Sequence, residues 1–179
     1  MIDYARIPSP LGASVAAAEE GAIVGLWFEG QKYFPDISAD WRENPALPAL
    51  ERCAAQLDEY FAGQRQRFDL PLAPHGTAYQ QRIWREIAAI PFGNTLSYAE
   101  LAMRVGNGDA ARAAGAATGR NPVSIVIPCH RVVGANGALT GYAGGIHRKT
   151  QLLGLEARRN RRPASGVLTK QVSLFPKYN

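Results

Sequence analysis

Short alternating apolar runs open the chain: Met1–Pro8, Ala13–Ala18 and Ala22–Phe28. Pro10-Leu11-Gly12 and Glu19-Glu20-Gly21 separate them as turn signals, so the pattern predicts antiparallel strands. From Leu47 to Phe61 the period changes. Leu50, Cys53, Ala54, Leu57, Tyr60 and Phe61 recur at helical spacing. Cys53 lies on that apolar stripe and reads as a core thiol. The Pro-rich stretch Leu70-Pro71-Leu72-Ala73-Pro74-His75-Gly76 reads as a linker.

The second half is patterned for helices. Thr77 to Ile90 places Tyr79, Ile83, Trp84, Ile87 and Ala88 on one face, and Pro91 closes it. Ser97 and Glu100 have the spacing of a capping box for a helix starting at Tyr98. After Val105-Gly106-Asn107-Gly108, Asp109 can cap a further helix running to about Gly119. Two short helices around a Gly-rich turn predict a helix-turn-helix, a pattern shared with many small bundles. The second helix, Ala110-Ala111-Arg112-Ala113-Ala114-Gly115-Ala116-Ala117, carries small side chains and one long cation. Such a surface fits close packing on a neighbouring helix, with Arg112 reaching water, or close approach to a nucleic-acid backbone.

Val123–Ile127, an apolar strand-like run, leads into Pro128-Cys129-His130-Arg131. A thiol beside an imidazole is a candidate nucleophile, because only the thiolate attacks and a free thiol is a few per cent ionised near neutral pH. Neighbours on an extended chain point to opposite faces, so the Cys129–His130 pairing needs a bridging water or a bent backbone. Val132–Gly141 reads as a hairpin with an Asn136-Gly137 turn. Tyr142-Ala143-Gly144-Gly145 reads as a loop that exposes backbone to a planar ligand, with Tyr142 as a stacking surface. Glu156 follows a helix-like run, Ile146–Leu155, and its position alone marks it as a surface residue. At this level a cysteine hydrolase using Cys129, His130 and Glu156 remains open, although no oxyanion hole is evident.

Composition narrows the classes. A chain of 179 residues makes one medium domain or two small ones, and 46% hydrophobic residues suffice for a core. No apolar run approaches the roughly 18 residues of a membrane span, and the N-terminus lacks a signal-peptide pattern. Two cysteines predict no disulfide framework and a reducing, cytoplasmic setting; with three scattered histidines they give no metal spacing. The net charge of +5 is unevenly distributed. Residues 1–77 carry six Lys/Arg against eleven Asp/Glu, residues 78–156 eight against four, and residues 157–179 six against none. The middle and end suit a polyanion, and the front does not.

Asn121-Pro122-Val123, Ile127-Pro128-Cys129-His130-Arg131-Val132, Gly141-Tyr142-Ala143-Gly144-Gly145 and Leu152-Leu153-x-x-Glu156 together resemble the O6-alkylguanine-DNA alkyltransferases, bacterial type. The resemblance runs from about Tyr79 to Glu156 and is looser before that. It implies an α+β fold: a ribonuclease-H-like strand-and-helix domain over 1–70, a linker over 71–77, and a mostly helical winged helix-turn-helix domain over 78–156 carrying the active site. It implies direct repair of double-stranded DNA without a cofactor or metal, by a monomer. One alkyl group would pass from O6-alkylguanine, and in some cases O4-alkylthymine, to Cys129, ending activity. The alternative within the family is a binding-only lesion-recognition protein, but there the nucleophilic cysteine is replaced.

The resemblance also implies residue roles. His130 would take the Cys129 proton through a water, Glu156 would polarise His130, and Asn121 would brace the site. Tyr98 would protonate the leaving guanine. Arg112 would enter the duplex in place of the flipped base, with Ala110, Ala111, Ala113, Gly115 and Arg120 also at the DNA. Tyr142, Val133, Ala143 and Gly144 would wall the guanine pocket near Lys149. Some relatives carry serine where Ala143 stands, so here only the backbone N–H of Ala143 is available to the guanine oxygen.

The basic tail over 157–179 reads as flexible. Its Gln171-x-Ser173-Leu174-Phe175 resembles the short peptide by which bacterial repair proteins dock on the replication sliding clamp. That assigns Gln171, Leu174 and Phe175 to a clamp contact; the other reading folds Leu174 and Phe175 back onto the body.

Overall fold

A computed structural model describes residues 1–106 and 110–160. Strands β1 (Asp3–Ile7), β2 (Ser14–Glu19) and β3 (Ala22–Phe28) pair antiparallel as the runs between turn signals predict, but only β1 alternates in burial. A two-residue strand, β4 (Arg42–Glu43), pairs parallel with β1, giving the order β3-β2-β1-β4. Two charged residues carry no strand pattern, so β4 was not legible. Asp3 fixes it, accepting from Arg42 Nε at 2.6 Å and Asn44 Nδ2 at 3.2 Å. The sheet is covered on both faces. Ala16 and Ala18 face the main core, while Ala17, Val24 and Trp27 pack against Tyr4, Phe34 and Trp41.

Helix α1 (Pro48–Ala62) has proline in its first turn and ends on Gly63 at φ 78°, the left-handed conformation a helix stop favours. Its buried stripe, Leu50, Cys53, Leu57 and Tyr60, lies against the sheet. Burial pushes the Cys53 thiol up to about 12, as befits a core residue.

The 71–77 segment is not a free tether. Ile23 N–H donates to the Pro71 carbonyl at 2.8 Å and Ala73 N–H to that of Ile23 at 2.9 Å, while Leu70 and Leu72 are buried. Proline placement suggests a linker because it cannot show that the intervening leucines find a sheet edge. The same edge of β3 also holds the second half. Leu26 N–H donates to the Pro122 carbonyl and Ser124 N–H to that of Leu26, both at 2.8 Å.

Helices α2 (Ala78–Ala88) and α3 (Tyr98–Arg104) each begin with a formed capping box, Thr77/Gln80 and Ser97/Glu100. Helix α4 (Ala111–Gly119) completes the helix-turn-helix, with Trp84 Nε1 donating to the Ala117 carbonyl at 2.9 Å. Asp109, expected to cap it, lies outside the described residues. Helix α5 (Ile146–Asn160) continues four residues past Glu156, so the tail reading is corrected over 157–160; 161–179 lie outside the described residues.

Two further expectations fail around the cysteine. Val132–Gly141 is not a hairpin. Val132–Val133 forms β6, parallel to β5 (Leu96–Ser97), and Ala135–Gly137 is a single 3-10 turn. The Asn-Gly pair does make a tight turn, with Asn136 at φ 55° and Gly137 at φ 77°, but β6 finds its partner elsewhere. Nor is Val123–Ile127 a strand: only Val123 bridges, to Leu26, before the chain turns. A fully buried run has no alternation to distinguish strand from turn. One continuous core joins both halves of the chain.

Candidate active site

Two consecutive tight turns aim Cys129. Val126 N–H donates to the Ser124 carbonyl at 2.8 Å, closing a γ-turn on Ile125 at φ 69°. This is the rare, strained form, and a β-branched residue there costs on the order of 1–3 kcal/mol. Cys129 N–H then donates to the Ile127 carbonyl at 2.8 Å, an inverse γ-turn on Pro128 at φ −80°, ψ 64°. Cys129–Arg131 follow as a 3-10 turn, so Cys129 and His130 do not alternate as they would on a strand. No hydrogen bond joins their side chains among the described residues.

Asn121 supports the sulfur. Its Nδ2 lies 3.0 Å from Cys129 Sγ and 2.8 Å from the Ile127 carbonyl, while its Oδ1 accepts from Val123 N–H at 3.0 Å. Burial pushes the Cys129 thiol above its ordinary value, against the Asn121 hydrogen bond and the nearby charge of Lys149. The resting sulfur is therefore protonated.

Glu156 is the hub of the site and is fully buried, contrary to its reading as a surface residue. Its Oε1 lies 2.7 Å from His130 Nε2, 2.7 Å from Tyr60 Oη and 3.0 Å from Arg131 Nη2. Its Oε2 accepts from Arg131 Nε at 2.9 Å and Gly93 N–H at 3.1 Å. Burial opposes the charge, but His130 and Arg131 hold the carboxyl well below the ordinary carboxylate range. An ionised Glu156 places the imidazole hydrogen on Nε2. That leaves Nδ1 of neutral His130 as an acceptor, and it is buried with no partner among the described residues. Burial also pushes the imidazole below its ordinary value, more than Glu156 raises it. Resting thiol and resting imidazole are thus both neutral.

Strand pairing brings in the helix-turn-helix. β5 runs beside β6 and leads straight into α3, placing Tyr98 near the cysteine. Burial, and then the negative charge that Cys129 acquires as a thiolate, raise the Tyr98 phenol, keeping it a proton donor. Its Oη lies 3.4 Å from the Gly141 carbonyl. Lys149, also fully buried, donates to the carbonyls of Val132 at 2.6 Å and Thr140 at 3.0 Å, tying the pocket loop to β6.

The Tyr142–Gly145 loop lies against the first half of the chain. Lys32 N–H donates to the Ala143 carbonyl at 3.0 Å, and Arg148 bridges the carbonyls of Gly144 and Leu11, both at 2.9 Å. A Cβ on Gly144 would stand 2.6 Å from the Tyr142 ring and 3.1 Å from Phe28, so the close packing requires glycine. Tyr142 Oη is buried without a hydrogen-bond partner among the described residues. Val133 is buried in β6.

On α4 the small residues divide between two faces. Ala114 and Ala117 pack inward and Gly115 lies against the Tyr98 ring, while Arg112 and Ala113 are exposed and Ala110 and Ala111 half-exposed. Arg120 stands apart from this face: at the far end of α4 its guanidinium stacks 3.9 Å from the Tyr33 ring centroid. Sequence reasoning missed Tyr60, Arg131 and Gly93 on Glu156, and Lys32 and Arg148 on the pocket loop. Arg131 stood within the quoted motif and could have been paired with a carboxylate; Tyr60 read only as core. Among the described residues no three His, Cys, Asp or Glu side chains group to hold a metal, and no helix is long and apolar enough to cross a membrane.

Family models match both halves. The 6-O-methylguanine DNA methyltransferase ribonuclease-like domain matches residues 2–74, and that family's DNA-binding domain matches residues 78–158. A methylated-DNA–protein-cysteine methyltransferase of Mycolicibacterium paratuberculosis is 45% identical over 168 residues, 94% of this chain and 99% of the relative. One from Methanosarcina acetivorans is 42% identical over 153 residues, 86% and 97% of the two chains. The crystal structure of Mycobacterium tuberculosis O6-methylguanine methyltransferase superposes with a TM-score of 0.84 at 43% identity, covering 92% of this chain and 97% of that one. The M. tuberculosis OGT in complex with DNA superposes at 0.81, with 42% identity and 88% and 94% covered. With both halves matched and near-full-length relatives above 40% identity, the chain belongs to the 6-O-methylguanine DNA methyltransferase family.

Proposed function

We propose that this protein repairs double-stranded DNA directly, moving the alkyl group of O6-alkylguanine onto Cys129 Sγ once per molecule. The observation that carries this reading is the pairing of a buried thiol, held by Asn121, with an imidazole whose Nε2 is committed to Glu156 and whose Nδ1 is free to accept.

The alkylated oxygen of guanine lies inside the base stack, so the nucleotide must leave the duplex, at a few kcal/mol. Arg112, exposed beside small neighbours on α4, fills the gap while phosphate contacts supply binding energy. The base enters between Tyr142, Val133 and the Ala143–Gly144 backbone. The thiol proton passes through a water to His130 Nδ1, and Sγ forms a bond to the alkyl carbon as its bond to O6 breaks. Tyr98 protonates the departing guanine and recovers its proton from the site. Neutral resting groups suit this sequence, because no thiolate stands ready for small electrophiles before DNA seats. The thioether has no leaving group, so turnover ends there.

A single chain supplies every group named, and the protein acts as a monomer. The binding-only alternative leaves Cys129 and its proton acceptor without a task. Clamp docking through Gln171, Leu174 and Phe175 is a separate proposal, on residues outside those described. Leu174→Ala/Phe175→Ala should abolish co-elution with the replication clamp, and undiminished co-elution would exclude that contact.

The test of function is a titration with duplex DNA carrying one labelled O6-methylguanine. Label should accumulate on protein to one methyl per chain and stop; continued turnover, or DNA binding without transfer, would contradict the reading. In the same assay Arg112→Ala should slow transfer at least about tenfold, the loss of roughly 1.4 kcal/mol of flipped-state stabilisation. Unchanged transfer would remove Arg112 from that role.

A further inference from the structure

We propose that Tyr60 is a positioning residue for the transfer reaction: its hydroxyl shares the Glu156 oxygen that holds His130, and so keeps the imidazole a weak, neutral proton acceptor. The inference rests on His130 receiving the thiol proton, and it assigns a task to a residue from the half of the chain that carries no other part of the chemistry.

The geometry is specific. Tyr60 sits in the last turn of α1, fully buried, with Phe61, Phe68 and Phe92 at centroid distances of 5.3, 5.5 and 6.1 Å. Those rings surround the Tyr60 ring, and its Oη stands 2.7 Å from Glu156 Oε1. His130 Nε2 reaches the same oxygen at the same 2.7 Å. An ionised carboxylate accepts only, so Tyr60 must donate. Its phenol is held far above the ordinary range by burial and by Glu156, so the donor hydrogen stays in place.

A carboxylate offers about four lone-pair sites, and five donors converge here. Each donor withdraws part of the charge that would otherwise stabilise a protonated His130. The charged and titratable groups facing the pair are Cys129 and Arg131 on their own turn, Lys149 on α5, Tyr142 in the pocket loop and Tyr60 on α1. Of these, only Tyr60 and Arg131 share Oε1 with His130. Arg131 also binds Oε2 and the Ile90 carbonyl, so removing it dismantles the turn. The Tyr60 hydroxyl makes only this bond among the described residues, and it can be removed without its ring.

The sign follows. Without the hydroxyl, Oε1 gives more of its charge to His130, the imidazolium is favoured and the imidazole pKa rises. His130 must be neutral to accept the thiol proton, so the acid limb of the rate profile moves to higher pH.

The test uses the full-length protein. Single-turnover methyl transfer from O6-methylguanine duplex is measured against pH, and the His130 ring resonances are titrated by NMR in the resting protein. Tyr60→Phe should raise both the acid-limb pKa and the NMR pKa by about half to one pH unit, a loss of about three- to tenfold in rate on that limb. Phe68→Leu, which loosens the packing around Tyr60 and keeps the hydroxyl, should lower stability and leave both values in place. Site-specific 3-fluorotyrosine at position 60, a stronger donor with nearly the same shape, should move both downward. That arm stands even where Tyr60→Phe folds poorly. Coincident profiles for all three proteins, or an equal shift in Phe68→Leu, would overturn the proposal. An NMR shift without a kinetic one would keep Tyr60 as the tuner of His130 and refute His130 as the proton acceptor.

Discussion

Glu156→Ala is expected to destabilise the fold by about 3–5 kcal/mol and to abolish transfer, because it leaves a buried cation without its partner. Arg131 is 6% exposed and directs Nε and Nη2 at the carboxylate, which also holds Tyr60, His130 and Gly93 N–H. Against a typical domain stability of roughly 5–15 kcal/mol, a loss of that size removes a fifth or more of the total. Chemical denaturation of both proteins at one pH checks it; a change under about 1 kcal/mol would show that Glu156 is not the keystone. The same hub predicts acid sensitivity. Glu156 is depressed in the fold, so its contribution is complete above the unfolded glutamate value of roughly 4.3 and is lost as pH falls below it. His130 is also depressed, so the unfolded chain gains a proton first, and stability declines as pH falls below roughly 6.5. Glu156→Ala should lose the lower of these two declines.

Cys129→Ser should eliminate methyl transfer below detection while leaving folding and DNA binding close to those of the parent. The serine hydroxyl still accepts from Asn121 Nδ2, which now lies 3.0 Å from the sulfur, so the two tight turns and Asn121 keep their arrangement. What is lost is nucleophilicity: no group here brings an alcohol near ionisation, and neutral His130 is a weak base. Denaturation and gel-shift measurements on modified DNA, run beside the transfer assay, separate chemistry from recognition. Equal loss of binding would mean that the sulfur shapes the site as well as reacting in it.

The strands and helices were legible because their signals are local. The alternation over Asp3–Ile7, the small apolar run in Ser14–Glu19, the Leu50–Tyr60 stripe and the two capping boxes each lie within a few residues. The surroundings of Cys129 were not, because they depend on contacts distant in sequence. β6 pairs with β5, 36 residues earlier by register, and a sequence reader meets an Asn-Gly turn beside it and infers a hairpin. Glu156 illustrates the same limit. Its neighbours Leu155 and Ala157 give no sign of burial, yet donors from α1, the loop after α2 and the cysteine turn converge on it. Tyr60, 96 residues away, matched a helix stripe so well that nothing marked it for chemistry. Family motifs named Cys129, His130, Glu156 and Asn121; only the folded chain shows what holds them and how their charges balance.

Peptide mass mapping after incubation with O6-methylguanine duplex reads single transfer to Cys129 most directly. The peptide containing Cys129 should gain the mass of one methylene, persistently and to one equivalent per chain, while the Cys53 peptide is unchanged. An unmodified Cys129 with the methyl group still on the DNA, or methyl on any other residue, would contradict it.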